Sequence, residues 1–193
     1  MTHIDRTSLM SLEAYARERS QFRERVMVHK KNRTVHLGEH ITLIFEDELT
    51  IRYQVQEMLR AERIFEEQGI RDELEAYDPL IPDGRNFKAT MMIEYPDPEE
   101  RKLWLGRLIG VEDKVWVEAG ELGRVWAIAD EDLERDTDQK TSSVHFLRFE
   151  LTDDMARSLK QGSGLRIGVD HPNYQVMLDV SPAVRGSLAN DLS

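Results

Sequence analysis

The sequence predicts an α+β fold, with a helical N-terminal lobe packed on a mainly antiparallel β lobe. Three observations carry this expectation. Residues 1–82 hold long helical stretches that begin at capping residues. Residues 83–193 hold short runs in which apolar side chains occupy every second position. Between them lies Asp78-Pro79-Leu80-Ile81-Pro82-Asp83-Gly84, rich in residues that stop both kinds of element, and the boundary between lobes is drawn there.

The first helix is expected to start near Ser8 or Ser11, with Glu13 in its first turn, and to run to the polar stretch Lys30–Asn32, with Asn32 as its C-cap. A short extended segment follows, in which Ile41, Leu43 and Phe45 alternate with Thr42, Ile44 and Glu46. Asp47 then caps a second helix predicted over Glu48–Gln68 and ended by Gly69, and a third covers Arg71–Tyr77. In the second lobe, Phe87, Ala89, Met91, Ile93 and Tyr95 mark a strand with one apolar face. A helix runs from Asp97 to Leu108, and strands follow near Lys114–Glu118 and Arg124–Ala129. The same order then returns: a strand with His145, Leu147, Phe149 and Leu151 on one face, a helix from Asp153 to Gln161, and strands near Leu165–Val169 and Tyr174–Val180. Asp97 and Asp153, Arg101 and Arg157, and Leu103 and Leu159 share one spacing of 56 residues. Residues 86–129 and 144–180 are therefore either a duplicated β-α-β-β unit or a chance recurrence of a common order. They are expected to form a barrel-like sandwich or a six-stranded sheet.

Composition excludes several classes of function. The 193 residues carry 26 Lys and Arg against 37 Asp and Glu, a net charge of −11, which a phosphate surface would repel. Nucleic acid is therefore not an expected partner. The chain has no cysteine, so disulfides, thiol nucleophiles and cysteine-held iron–sulfur clusters are ruled out. No apolar run approaches the roughly 20 residues that cross a bilayer, and Met1–Met10 is not a signal peptide, so a cytoplasmic protein is expected.

Several residues stand out as candidates. On the second predicted helix, Ile51, Val55, Met58 and Phe65 form an apolar stripe with Glu62 in its middle, and Arg19 lies at the edge of the facing stripe of the first helix. A buried carboxylate needs a partner, so an internal Arg19–Glu62 ion pair is expected, either as a structural pair or as an anion or substrate site. Residues 17–33 contain Arg17, Arg19, Arg23, Arg25, Lys30, Lys31 and Arg33 against Glu18 and Glu24, the basic region of an acidic chain. Such a run is either a solvated face or a surface for a phosphate, a nucleotide or an acidic partner. Its complement is the acidic loop with Asp130, Glu131, Asp132, Glu134, Asp136 and Asp138. His36-Leu37-Gly38-Glu39-His40 has the H-x-x-E-H spacing of a class of zinc peptidases, but Gly38 between two extended segments reads as a turn. Glu57, Glu62 and Glu66 with His29 or His36 offer carboxylates and imidazoles without the Glu-x-x-His spacing of di-iron bundles. No metal or cofactor is expected, His36, His40 and Glu62 being the weak metal candidates. His145 reads as a satisfied core histidine. Trp104, Trp116 and Trp126 read as packing residues, the last two with the option of a shared exposed face.

The run from His29 to Phe65, with the later segments Tyr95–Asp113 and Ser142–Leu151, resembles an uncharacterised bacterial family, a domain of unknown function. Members of that family are often encoded beside rubrerythrin and an iron–sulfur oxidoreductase. The resemblance implies an accessory role in peroxide defence or electron transfer and assigns no activity or functional residue. Any iron–sulfur cluster would belong to a partner.

Two readings result. In the first, the chain is a non-enzymatic accessory or interaction protein, a homodimer with a redox-system protein as partner. Its working surface is then Arg17–Arg33 with the Glu57–Glu62 helix, and Arg19, Arg23, Arg33, His36, Glu57 and Glu62 are the binding candidates. In the second, it is a metal- or anion-dependent enzyme using Glu62 with Arg19 and His36 or His40.

Overall fold

The computed structural model describes residues 3–131, 137 and 139–193. Asp132, Glu134, Asp136 and Asp138 of the acidic loop lie outside the described residues. No helix is long and apolar enough to cross a membrane.

Helix α1 (Leu12–Lys31) starts where Ser11 accepts the Ala14 N–H and ends at Asn32. Helix α2 (Glu48–Ala61) begins with a capping box between Asp47 and Thr50. The two run antiparallel, with Tyr15, Phe22 and Val26 of α1 buried against Tyr53 of α2. Helix α3 (Glu67–Tyr77) folds back to place Ile70 and Leu74 on Ile51, Val55 and Leu59. The expected single helix over Glu48–Gln68 is thus two. The chain leaves α2 at Glu62, Arg63 takes a positive φ of 54°, and Gly69 lies inside α3 rather than at a helix end. Burying Ile70 and Leu74 on the outer face of α2 requires that turn.

Nine strands are found among the described residues: β1 (Thr34–Leu37), β2 (Ile41–Phe45), β3 (Asn86–Ile93), β4 (Val115–Ala119), β5 (Arg124–Trp126), β6 (Ile128–Ala129), β7 (Val144–Glu150), β8 (Leu165–His171) and β9 (Tyr174–Asp179). They form a five-stranded sheet in the order β1-β2-β3-β7-β6 and a four-stranded sheet in the order β5-β4-β8-β9, antiparallel throughout. The fold is an α+β sandwich, neither a closed barrel nor one six-stranded sheet. The expected single strand over Arg124–Ala129 changes sheets at Ala127, so β5 and β6 join the two layers. The five-stranded sheet takes β1 and β2 from before residue 82 and the rest from after it.

Inward side chains of both sheets, among them Leu43, Phe45, Phe87, Met91, Val117, Phe149, Ile167 and Val169, make one core. Helices α4 (Pro98–Arg107), α5 (Asp153–Lys160) and α6 (Pro182–Ala189) add Leu105, Met155, Leu159, Val184 and Leu188 to it. Helix α6, which the sequence reading leaves out, starts at the cap Ser181. The pairing has a two-fold character. In β3 and β7, Thr90 lies opposite Phe146, 56 residues later. In β4 and β8, Val117 lies opposite Ile167, 50 residues later, and the order β5-β4-β8-β9 is unchanged when the two halves are exchanged.

Candidate functional site

The antiparallel pairing of α1 and α2 brings Arg19 to Glu57, not to Glu62. Arg19 Nε and one terminal nitrogen donate to the two Glu57 oxygens at 2.7 Å each, and the Tyr15 hydroxyl donates to the same carboxylate at 2.6 Å. The Arg19 hydrogen bonds, helped by the Tyr15 hydroxyl and opposed by burial, hold the Glu57 carboxyl below its ordinary pKa. Burial, with Glu57 adding to it, raises the Tyr15 phenol. Glu62 is exposed at the end of α2, and Phe65, expected in the buried stripe, is 69% exposed. The helix break moves both out of the α1–α2 seam.

Beside this pair, α1 and the end of α2 form an open groove of about 1010 Å³. Ala16, Ser20, Met27 and Val28 supply its small and apolar surface, Val28 being 58% exposed, while Arg23, Lys31 and Arg60 supply positive charge against the single acid among its described lining residues, Glu24. Among the described residues none ion-pairs Arg23, Lys31 or Arg60. Met27 and Lys31 also line an adjoining hollow with Thr34 and His36, so the groove reaches the edge strand β1. Arg60 was not among the sequence candidates. The signal for it is its place one turn beyond Glu57, legible only once Glu57 is known to face α1.

Arg33 belongs elsewhere. It is 1% exposed and donates to the Phe45 and Glu46 carbonyls and to both oxygens of Asp191, the shorter contact being 2.5 Å. Asp47, which also meets His29 at 2.5 Å, lies 3.5 Å from it. Burial pushes the Asp191 carboxyl up to about 6, against the pull of Arg33. This cluster fastens the C-terminal segment to the start of α2 and leaves Arg33 sealed from solvent.

His36 and His40 flank the β1–β2 turn, where Gly38 has a φ of 73°. The His36 ring lies 3.1 Å from the Thr42 hydroxyl, and His40 stacks on Tyr95 at 4.0 Å. Neither belongs, with Glu62 or Glu57, to a metal-ligating group among the described residues. The group that could hold a cation is Glu112, Asp130 and His145, whose donor atoms lie within 4.8 Å of one another. His145, fully buried as expected, meets Asp130 at 2.5 Å through Nδ1 and the Thr141 hydroxyl at 2.8 Å through Nε2. Asp130 has a φ of 48° and also accepts the Phe146 N–H. An aspartate–imidazole–hydroxyl chain resembles a nucleophile relay, but Thr141 is 1% exposed and no substrate could reach it. Sequence reasoning placed Asp130 in the acidic loop and did not join it or Glu112 to His145, because the three residues meet only through the sheet.

Trp104 stacks on Tyr95 at 5.6 Å. Trp116 and Trp126 are register partners, but Trp116 is fully buried beneath Arg124, and 44% of Trp126 is exposed.

Comparison with known proteins adds a family without an activity. Among curated proteins, none matches the chain. A crystal structure from Burkholderia pseudomallei, described as a novel protein of unknown function, is similar at a TM-score of 0.95 and 54% sequence identity over 100% of both chains. The family model described as "Protein of unknown function (DUF3501)" matches residues 3–192, so the chain belongs to the DUF3501 family.

Proposed function

We propose that this protein is a non-enzymatic accessory protein that docks an acidic partner on the α1–α2 groove. One observation carries the reading: Arg23, Lys31 and Arg60 surround an exposed, small-residue surface with no ion-pair partners among the described residues, on a chain whose net charge is −11. Cations in excess around an apolar strip suit a partner that brings carboxylates and a few apolar side chains, and they speed its approach. Arg19 supports the surface from behind, because its charge is already taken by Glu57. The family resemblance supports a redox protein as the partner, rubrerythrin or an iron–sulfur oxidoreductase, and cytoplasmic action as a homodimer is part of the same proposal.

The test is a titration of purified rubrerythrin and of the iron–sulfur oxidoreductase from the same organism into this protein at low and high salt. Saturable binding that weakens with salt and disappears in the triple variant R23E/K31E/R60E is expected. Binding that survives charge reversal sinks the groove. Failure of both proteins to bind sinks the redox link.

A further inference from the structure

We infer that the cleft on the outer face of the five-stranded sheet binds a small zwitterion of the amino-acid type with an apolar side chain. The proposal goes beyond the docking surface and uses other elements, so neither depends on the other.

The cleft encloses about 390 Å³ between β3, β7 and the turn at Asp78–Leu80. That is the lower end of the range for small-ligand sites, roughly 300–1,000 Å³. Strand alternation places its chemistry. Phe45 and Ala89 point into the core, so Glu46 and Lys88 point outward from neighbouring strands, joined by the Glu46 N–H donating to the Lys88 carbonyl at 2.8 Å. Phe146 points outward in the same way from β7, and Pro79 and Leu80 close the cleft above.

Two opposite charges thus stand side by side and do not pair. The Glu46 carboxylate, on a residue only 8% exposed, accepts the Thr50 hydroxyl at 2.5 Å and the Thr90 hydroxyl at 2.7 Å. The Lys88 ammonium reaches past it to the Pro79 carbonyl. Among the described residues neither has an ion-pair partner. The other cations nearby are already neutralised: Arg148 by Glu131 and Glu150, and Arg33, behind the Glu46 backbone, by Asp191. Burial lowers the Lys88 pKa and is only partly opposed by Asp83, by Glu131, which also lines the cleft, and by Glu150, so a closer anion would offset what remains.

A ligand with one charge would pair with one of these groups and leave the other without an ion-pair partner among the described residues. A zwitterion satisfies both. Its ammonium meets Glu46, its carboxylate meets Lys88, and its side chain lies against Phe146, Pro79 and Leu80.

Calorimetric titration of the full-length protein tests this, with valine, leucine, isoleucine, methionine and phenylalanine as probes. Phenethylamine and 3-phenylpropionate, each lacking one charge of phenylalanine, serve as controls. At least one amino acid is expected to bind, and both controls to bind at least about tenfold more weakly than phenylalanine or not at all. Glu46→Gln, which removes the charge and leaves one oxygen to accept a threonine hydroxyl, should abolish the preference over 3-phenylpropionate. Lys88→Met should abolish the preference over phenethylamine. Circular dichroism establishes that both variants fold. The proposal is overturned if no amino acid binds at about 1 mM, if a singly charged control binds as well as phenylalanine, or if both folded variants bind like wild type.

Discussion

Arg19 grips Glu57 through two parallel hydrogen bonds of 2.7 Å, and Tyr15 closes the third side of the same carboxylate. The planar guanidinium matches the carboxylate in a way that lysine cannot. Because the Glu57 pKa is depressed in the folded state, its contribution to stability is present above the unfolded value, near 4.5, and is lost as pH falls through the lower folded value. Glu57→Gln is therefore expected to lower the melting temperature at neutral pH, with the difference from wild type shrinking below about pH 4. Arg19→Lys should recover only part of the Arg19→Met loss. Thermal unfolding followed across pH checks both.

Asp191 behaves in the opposite sense. Its folded value of about 6 lies above the ordinary 3.8, so between these values the folded state holds a proton that the unfolded chain has released. Stability from this group is complete below about pH 4 and is lost as pH rises through about 6, by at most about 3 kcal/mol. In urea unfolding at several pH values, the stability of wild type relative to Asp191→Asn is expected to fall across that window. A difference that does not change with pH would contradict the assignment.

Trp116 lies flat on Gly168, with the Arg124 guanidinium 3.8 Å above its ring. A Cβ at position 168 would stand 2.4 Å from the indole and 2.8 Å from the Val176 carbonyl. Gly168→Ala is expected to cost about 1–3 kcal/mol by overpacking, because the indole is fully buried with the Arg124 guanidinium over its ring and has little room to move. The measurement is chemical denaturation, with a change in tryptophan fluorescence as the local sign.

Both ring nitrogens of His145 are engaged by protein groups, Asp130 on one side and Thr141 and Ser142 on the other. Protein purified without chelator is expected to carry no stoichiometric metal by plasma mass spectrometry, and chelator to leave its melting temperature unchanged. Stoichiometric metal that disappears in His145→Leu would place an ion among Glu112, Asp130 and His145 instead.

The elements legible in the sequence were those whose signals are local. Ser11 and Asn32 delimit α1, Asp47 opens α2, and the alternation in β3 and β7 gives their inward faces. The early end of α2 was not legible, because residues 62–68 contain neither Gly nor Pro and the turn at Arg63 is imposed by packing of Ile70 and Leu74 onto α2. The partner of Arg19 is Glu57 rather than Glu62 for a second reason: the Ile51–Val55 stripe lies against α3, and the face of α2 that meets α1 carries Tyr53 and Glu57. The basic surface was visible as composition, but which of its cations are spent, Arg19 and Arg33, depends on Glu57 and Asp191, far along the chain. Glu46 looked like an ordinary acid before a helix. Only the strand pairing shows it bonded to the Lys88 backbone with no ion pair between the two side chains.

The bond between Arg33 and Asp191 joins positions 158 residues apart. During synthesis α1 and α2 can pair as soon as they emerge, but until residue 191 is made the guanidinium buried at their junction has, among the described residues, only Asp47, at 3.5 Å, as a counterion. Domains otherwise assemble from the N-terminus as they are made. Here the junction of the two helices is completed only by a distant segment, and a chain truncated before residue 191 would leave the guanidinium to the longer contact with Asp47.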